Sequence, residues 1–324
     1  MKRIFFALFV IGSMLPHTAR AEKVTLRLGH VLPVSHPLHK AAIHFADEVE
    51  ARTGGSVKVI IFPAGALGGE RAMAESLLLG SQDLLITSTA PLGNFVPKLR
   101  VLDIPFLFSD LDKARKSLDG SLGAALGDEL REHGFETLGW GDTGFRNITT
   151  RTTPVLKPSD LRNLKIRTQE NDLHIMAFRH LGAVPTPMAF PELYLALQTG
   201  VIDGQENPLS VIVSAGFYRV QRHVSLTKHL LVAAPILASL KSWQKLSEQQ
   251  RTALRDAAKA IIPTWRASID ESDASALKII TKEGVAVHEV NVEAFKAALA
   301  DLWPKYEQLV GKDLLDLGTR SVRD

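Results

Sequence analysis

The chain has 324 residues, with 38 Lys and Arg against 35 Asp and Glu, and no cysteine. The missing cysteines exclude disulfides and thiolate metal sites, and the near balance of charge gives no support to a nucleic-acid-binding face. Apolar and charged fractions of 45% and 23% are those of an ordinary globular protein, long enough for two domains.

At the N-terminus, Lys2 and Arg3 precede an apolar run from Ile4 to Leu15, and Ala19-Arg20-Ala21 ends the segment. A charged start, a short apolar stretch and an A-x-A end describe a secretory signal peptide over residues 1–21, with cleavage expected before Glu22. The run is short of the roughly 20 residues of a comfortable membrane span. Lys2, Arg3 and Arg20 make up the whole basic excess, so 35 basic and 35 acidic residues follow. The expected product is a soluble protein of the periplasm.

After the leader, VTLRLG from Val24 reads as a strand. A helix is predicted from about Pro37 to Arg52, with Leu38, Ala41, Ala42, Phe45, Ala46 and Val49 on one stripe. Pro37 suits its first turn, and Gly54-Gly55 stop it. A strand over Ser56–Phe62, a helix over Glu70–Leu79 and a strand over Asp83–Ser88 complete a βαβαβ unit. Helices are predicted at Leu111–Lys116 and Leu122–Glu132, and Gly141 and Gly144 in GDTGFRNIT read as sites of tight turns. The earlier order then returns: a strand over Leu164–Thr168, a helix over Asp172–Leu181, an extended Ala183–Met188, a helix over Pro191–Thr199 and a strand over Val201–Gln205.

Two such units imply two lobes with mostly parallel sheets flanked by helices. Ser247-x-x-Gln250 resembles a capping box. It opens a long helix that continues from Ala260 towards Lys278 and is placed to brace both lobes. Phe295–Val310 reads as a final helix. The expected division is a first lobe of residues 22–147 plus about 232–272, and a second of 148–231 plus about 273–324.

Ligands of open α/β sheets sit beyond the carboxyl ends of the strands. Three polar residues stand there: Arg167 within LKIRT, Arg146 within GDTGFRNIT, and Asn207 in the loop expected after VID. Parallel strands under helices are usually apolar on both faces. A guanidinium among them needs an anion or a full set of acceptors, and its planar fork fits a carboxylate. Arg146 is placed to reach the same carboxylate, and Asn207 can fix its plane. From the residues alone a second reading stays open, in which Arg167 pairs with Glu170 or Asp172.

The run Gly144-Phe145-Arg146-Asn147-Ile148-Thr149, the segment Pro158-x-Asp160-Leu161-x-x-Leu164-Lys165-Ile166-Arg167 and the stretch from Ala196 to Pro208 resemble the solute-binding proteins of tripartite ATP-independent periplasmic (TRAP) transporters, the DctP-like family. Phe62–Glu70 and Asp103–Phe108 fit as well, so the resemblance covers essentially the whole chain after the leader. It implies a two-lobed periplasmic-binding-protein-like α/β fold bridged by a long helix and closed by a hinge motion. It also implies that Arg167 makes a bidentate pair with a ligand carboxylate, Arg146 supports it and Asn207 completes the clamp. The implied role is capture of a small organic acid for delivery to membrane subunits, by a monomer that needs no cofactor or metal.

The other expected lining residues are His30, Lys40, Glu70, Asn147, Phe190 and Gln205. Glu70 equally suits a plain role at a helix start. Lys40 would be a second cationic anchor for a dicarboxylate; His30, Glu70 and Gln205 would suit the hydroxyls of a sugar acid. The pattern resembles the sugar-acid-binding members more, so a uronate or aldonate is favoured over a C4-dicarboxylate. His36, His39 and His44 with Glu48 match no H-E-x-x-H pattern and read as helix-surface residues. No nucleophile elbow, Walker loop or dinucleotide fingerprint occurs, so catalysis is not expected. A periplasmic enzyme or a sensor acting on organic acids is the alternative.

Overall fold

The structure, a computed structural model, describes residues 23–323. The leader and its expected cleavage site lie outside the described residues. The strands are β1 (Val24–Gly29), β2 (Val57–Phe62), β3 (Leu84–Ile86), β4 (Phe135–Thr150), β5 (Lys165–Thr168), β6 (Val184–Pro187), β7 (Gly204–Pro208), β8 (His223–Ser239) and β9 (Ala286–His288). They form a sheet in the order β2-β1-β3-β8-β4-β7-β5-β6, with β9 against β8. β1, β2 and β3 pair parallel, as do β5, β6 and β7. These two parallel sets belong to the two α/β lobes, and the long antiparallel strands β4 and β8 join them.

The repeated helices follow from their sequences. Helix Pro37–Arg52 buries the stripe of Leu38, Ala41, Ala42, Phe45 and Val49. Helices Glu70–Leu79 and Phe190–Thr199 both end on a left-handed glycine, Gly80 and Gly200, where a residue with a Cβ would be strained. The capping box at Ser247 is present in both halves: Gln250 N donates to Ser247 Oγ at 3.2 Å, and Ser247 N to Gln250 Oε1 at 2.9 Å. The helix it opens runs Glu248–Lys282, 35 residues, or about 52 Å at 1.5 Å per residue.

Three elements differ from expectation. Gly141 and Gly144 do not turn the chain; they lie inside β4, whose irregularities fall between Thr137 and Gly139, Asp142 and Phe145, and Arg146 and Ile148. The glycines make room for the long helix. A Cβ on Gly141 would stand 2.1 Å from the Trp265 ring, and one on Gly144, at φ +93°, 2.6 Å from Asp273 Oδ2. The strand expected over Val201–Gln205 is instead β7, shifted forward, so Asn207 stands in a strand rather than a loop. Its antiparallel partner β4 captures the ENP segment, an influence that local patterning does not carry. The single helix expected over Phe295–Val310 is broken at Ala300–Leu302 into Val292–Leu299 and Trp303–Val310. Pro304, near the start of the second piece, cannot continue a helix from behind.

Candidate functional site

Arg167 is 1% exposed in the parallel strand β5. Its Nε and Nη2 both donate to the Met188 carbonyl, at 2.9 and 2.6 Å. Its third nitrogen, Nη1, is buried without a hydrogen-bond partner among the described residues. Neither Glu170 nor Asp172 takes it: Asp172 pairs with Arg100 at 3.2 Å. Burial first, and repulsion from Arg146 second, pull the Arg167 guanidinium down to about 10, so it stays charged at neutral pH. A buried charge with a whole NH2 group unpaired is a site for an anion.

Arg146 has a partner that the sequence reading did not assign. It forms a fork on the buried Glu206: Nε donates to Oε2, and Nη2 donates to Oε1 at 2.7 Å and to the Glu206 carbonyl at 2.5 Å. Burial pushes the Glu206 carboxyl up, but the Arg146 guanidinium outweighs that and holds it well below the usual carboxylate range. His229 Nε2 lies 3.2 Å from Glu206 Oε2 and adds to the same effect. Arg146 is thereby neutralised as a pair, and Arg167, close enough to feel the charges of Arg146, Glu206 and Glu70, is the cation that no described carboxylate pairs. The signal was in the sequence, because a buried arginine calls for an acid and Glu206 stands next to Asn207.

Arg146, Asn207, Phe190, Glu70, Gln169 and Ser88 line one cavity; Arg167, next to it in the sheet, is not among the lining residues. Asn207 is held by a relay: its Nδ2 donates to Gln205 Oε1 at 2.5 Å, Gln205 Nε2 donates to Thr149 Oγ1 at 2.9 Å, and Thr149 donates to Gln221 at 3.2 Å. Phe190 sits edge-on to Phe217, 5.8 Å between centroids. Glu70 follows the left-handed Gly68 and is 7% exposed. Its Oε1 accepts from Thr87 Oγ1, Ser88 N and Ser88 Oγ at 3.1, 3.2 and 2.8 Å. Its Oε2 accepts from Gln169 Nε2 at 3.2 Å, a bond that joins the two halves of the chain across the cleft.

Four expected lining residues lie elsewhere. Lys40 is exposed on the outside of its helix, because the stripe of that helix turns Leu38, Ala41 and Ala42 inward instead. Gln205 is fully buried and holds Asn207 rather than facing the cavity. Asn147 donates to the Phe145 carbonyl and accepts from Lys228 N, and it lines a separate cleft with Asp270 and Asp273. His30 is buried behind the cavity with its Nε2 3.0 Å from His39 Nδ1. Burial, with His39 close by, lowers it to about 4, so it is neutral at pH 7. His36 is also buried rather than on the helix surface; its Nδ1 caps the helix by accepting from Leu38 N at 3.1 Å. Among the described residues, no three His, Asp, Glu or Cys side chains are grouped to hold a metal. No described helix is long and apolar enough to cross a membrane.

Comparison with known proteins identifies the family. Residues 28–309 match the family model described as bacterial extracellular solute-binding protein, family 7. A solute-binding protein of Verminephrobacter eiseniae is 43% identical over 273 residues, covering 84% of this chain and 82% of its own. A TRAP periplasmic solute-binding protein of Polaromonas, solved bound to D-erythronate, is 41% identical with a TM-score of 0.90, over 92% of this chain and 98% of its own. One from Bordetella, with density assigned to pantoate, is 40% identical with a TM-score of 0.89, over 92% and 99%.

Proposed function

The chain belongs to the bacterial extracellular solute-binding proteins of family 7, and from that premise we propose that it captures a small organic acid in the periplasm and hands it to the membrane subunits of a TRAP transporter, without chemical change. The observation that carries the reading is the buried Nη1 of Arg167, a charged donor with no acceptor among the described residues, near an Arg146–Glu206 pair that is already satisfied. The ligand carboxylate takes that donor, Arg146 and Asn207 flank it, and the lobes close over it. The hinge lies where the chain passes between lobes: near residues 147 and 231 in β4 and β8, and near 272 in the long helix. D-erythronate and pantoate, bound by the similar Polaromonas and Bordetella proteins, are both hydroxylated monocarboxylates, which supports the sugar-acid side of the expectation.

A thermal-shift screen of the purified protein against organic acids tests this, because a ligand that binds only the folded state raises the midpoint by mass action. Losing one partner of a desolvated charge pair commonly costs about 2–5 kcal/mol. Arg167→Ala is therefore expected to weaken the best acid by roughly 30-fold or more while the apo protein stays folded. Arg167→Lys also weakens it, because an ammonium cannot hold Met188 and the ligand in one plane. Undiminished affinity in Arg167→Ala, or recovery of a chemically altered acid, would overturn the proposal.

A further inference from the structure

We propose that the ligand is a hydroxy-monocarboxylate with an aliphatic flank, and that Glu70 is the residue that rejects dicarboxylates. The inference rests on the proposed seating of a carboxylate at Arg167 and adds what the opposite wall selects.

The charges of the two walls differ. On the side of Arg146 and Asn207, Arg167 stands next to the cavity in the sheet as the cation that no described carboxylate pairs, since Glu206 neutralises Arg146. On the other side stands Glu70, nearly buried. Lys40 points to solvent and His30 is neutral and out of the cavity, so no cation among the described residues of that wall faces a second carboxylate. A dianion seated on Arg167 would push its far charge against Glu70 with little water between to screen it.

The hydrogen-bonding capacity of Glu70 points to what it does accept. Oε1 already takes three donors, whereas Oε2 takes only Gln169 Nε2. A carboxylate oxygen can accept a second donor, so Oε2 has room for a ligand hydroxyl. Apart from Thr87, Thr143 and the polar residues already named, the lining is aliphatic and aromatic, with Val31, Leu32, Ile86, Phe190, Val211 and Val232. A chain of hydroxyls laid along them would lose its water without partners, whereas methyl or methylene groups gain by burial.

Titration calorimetry of the intact protein with 2-hydroxyisovalerate, D-erythronate, succinate and D-glucuronate decides the matter, with Arg167→Ala and Glu70→Gln run in parallel. In the wild type, 2-hydroxyisovalerate is expected to bind 100-fold or more tighter than succinate and glucuronate, and tighter than D-erythronate. Glu70→Gln, which removes the charge but keeps an acceptor, should narrow the gap to succinate by tenfold or more. Succinate, glucuronate or D-erythronate binding as tightly as 2-hydroxyisovalerate would overturn this inference while leaving capture at Arg167 standing, provided Arg167→Ala still abolishes it. Binding of no acid at all, or binding indifferent to Arg167→Ala, would remove the underlying reading and this one with it. If Glu70→Gln does not fold, the wild-type ranking decides alone.

Discussion

Two arginines that look alike in the sequence behave differently once their acceptors are counted. Arg146 has a carboxylate of its own; Arg167 has a carbonyl and a nitrogen left over. Removing Glu206 should therefore do more than loosen the site, because it leaves Arg146 as a buried charge without a partner. Glu206→Ala is expected to lower folding stability by about 3–5 kcal/mol, read as a drop in the denaturant midpoint at unchanged slope. A loss under about 1 kcal/mol would mean that water, not Glu206, satisfies Arg146. At this scale the sequence was half legible. Arg167, Arg146 and Asn207 stood out because a guanidinium or amide among strand residues is chemically conspicuous. Glu206, Gln169 and the Met188 carbonyl did not, because their roles depend on which chain segments meet. Lys40 was misplaced because a helix start near a cleft does not say which way each side chain turns.

The elements were read well where their pattern is local and poorly where it is not. The helices over Pro37–Arg52 and Glu70–Leu79 have the expected bounds, since stripe, cap and stop lie within one segment. The strands β4 and β8 were unforeseen as 16- and 17-residue strands. They are bent by bulges and buried by a helix far away in sequence. Gly141 is the point where that helix and β4 meet, and it has no space for even a methyl group against Trp265. Gly141→Ala is expected to destabilise the protein by about 1–3 kcal/mol through overpacking. Adding Trp265→Phe should recover part of the loss, a coupling that a double-mutant cycle in urea measures. Strict additivity of the two changes would contradict the contact.

On the scale of the whole molecule, the cleft is closed by polar ties between the halves. Asn171 Nδ2 donates to the Ala90 carbonyl and to Asp103 Oδ2, both at 2.9 Å, and Asn94 Nδ2 donates to the Glu170 carbonyl at 2.7 Å. They sit next to the Glu70–Gln169 bond, so closure and ligand recognition share one rim.

Buried titratable groups also fix how the fold responds to acid. Burial lowers His30 to about 4 and His36 to about 3. In the unfolded chain both take up protons near pH 6.5. Their contribution is present above that value and is lost as pH falls towards 4. Asp273 opposes them: burial, with Asp142 and Asp270 near it, raises it to about 6. The folded state thus gains a proton before the unfolded chain does, and stability rises as pH falls from 6 towards 4. Two histidines outweigh one aspartate, so the melting temperature should fall between pH 6.5 and 4.5. Asp273→Asn should raise it at pH 7 and steepen the fall. A shallower fall in the variant would refute the assignment of Asp273.

Capture at Arg167 turns on where the ligand's carboxylate goes. A crystal structure of the protein with its bound acid measures that directly. The expected result is a carboxylate oxygen within hydrogen-bonding distance of Arg167 Nη1, with the Met188 carbonyl still held by Nε and Nη2 and Glu206 still on Arg146. A carboxylate held elsewhere, with Arg167 turned to an acid of the chain, would contradict it.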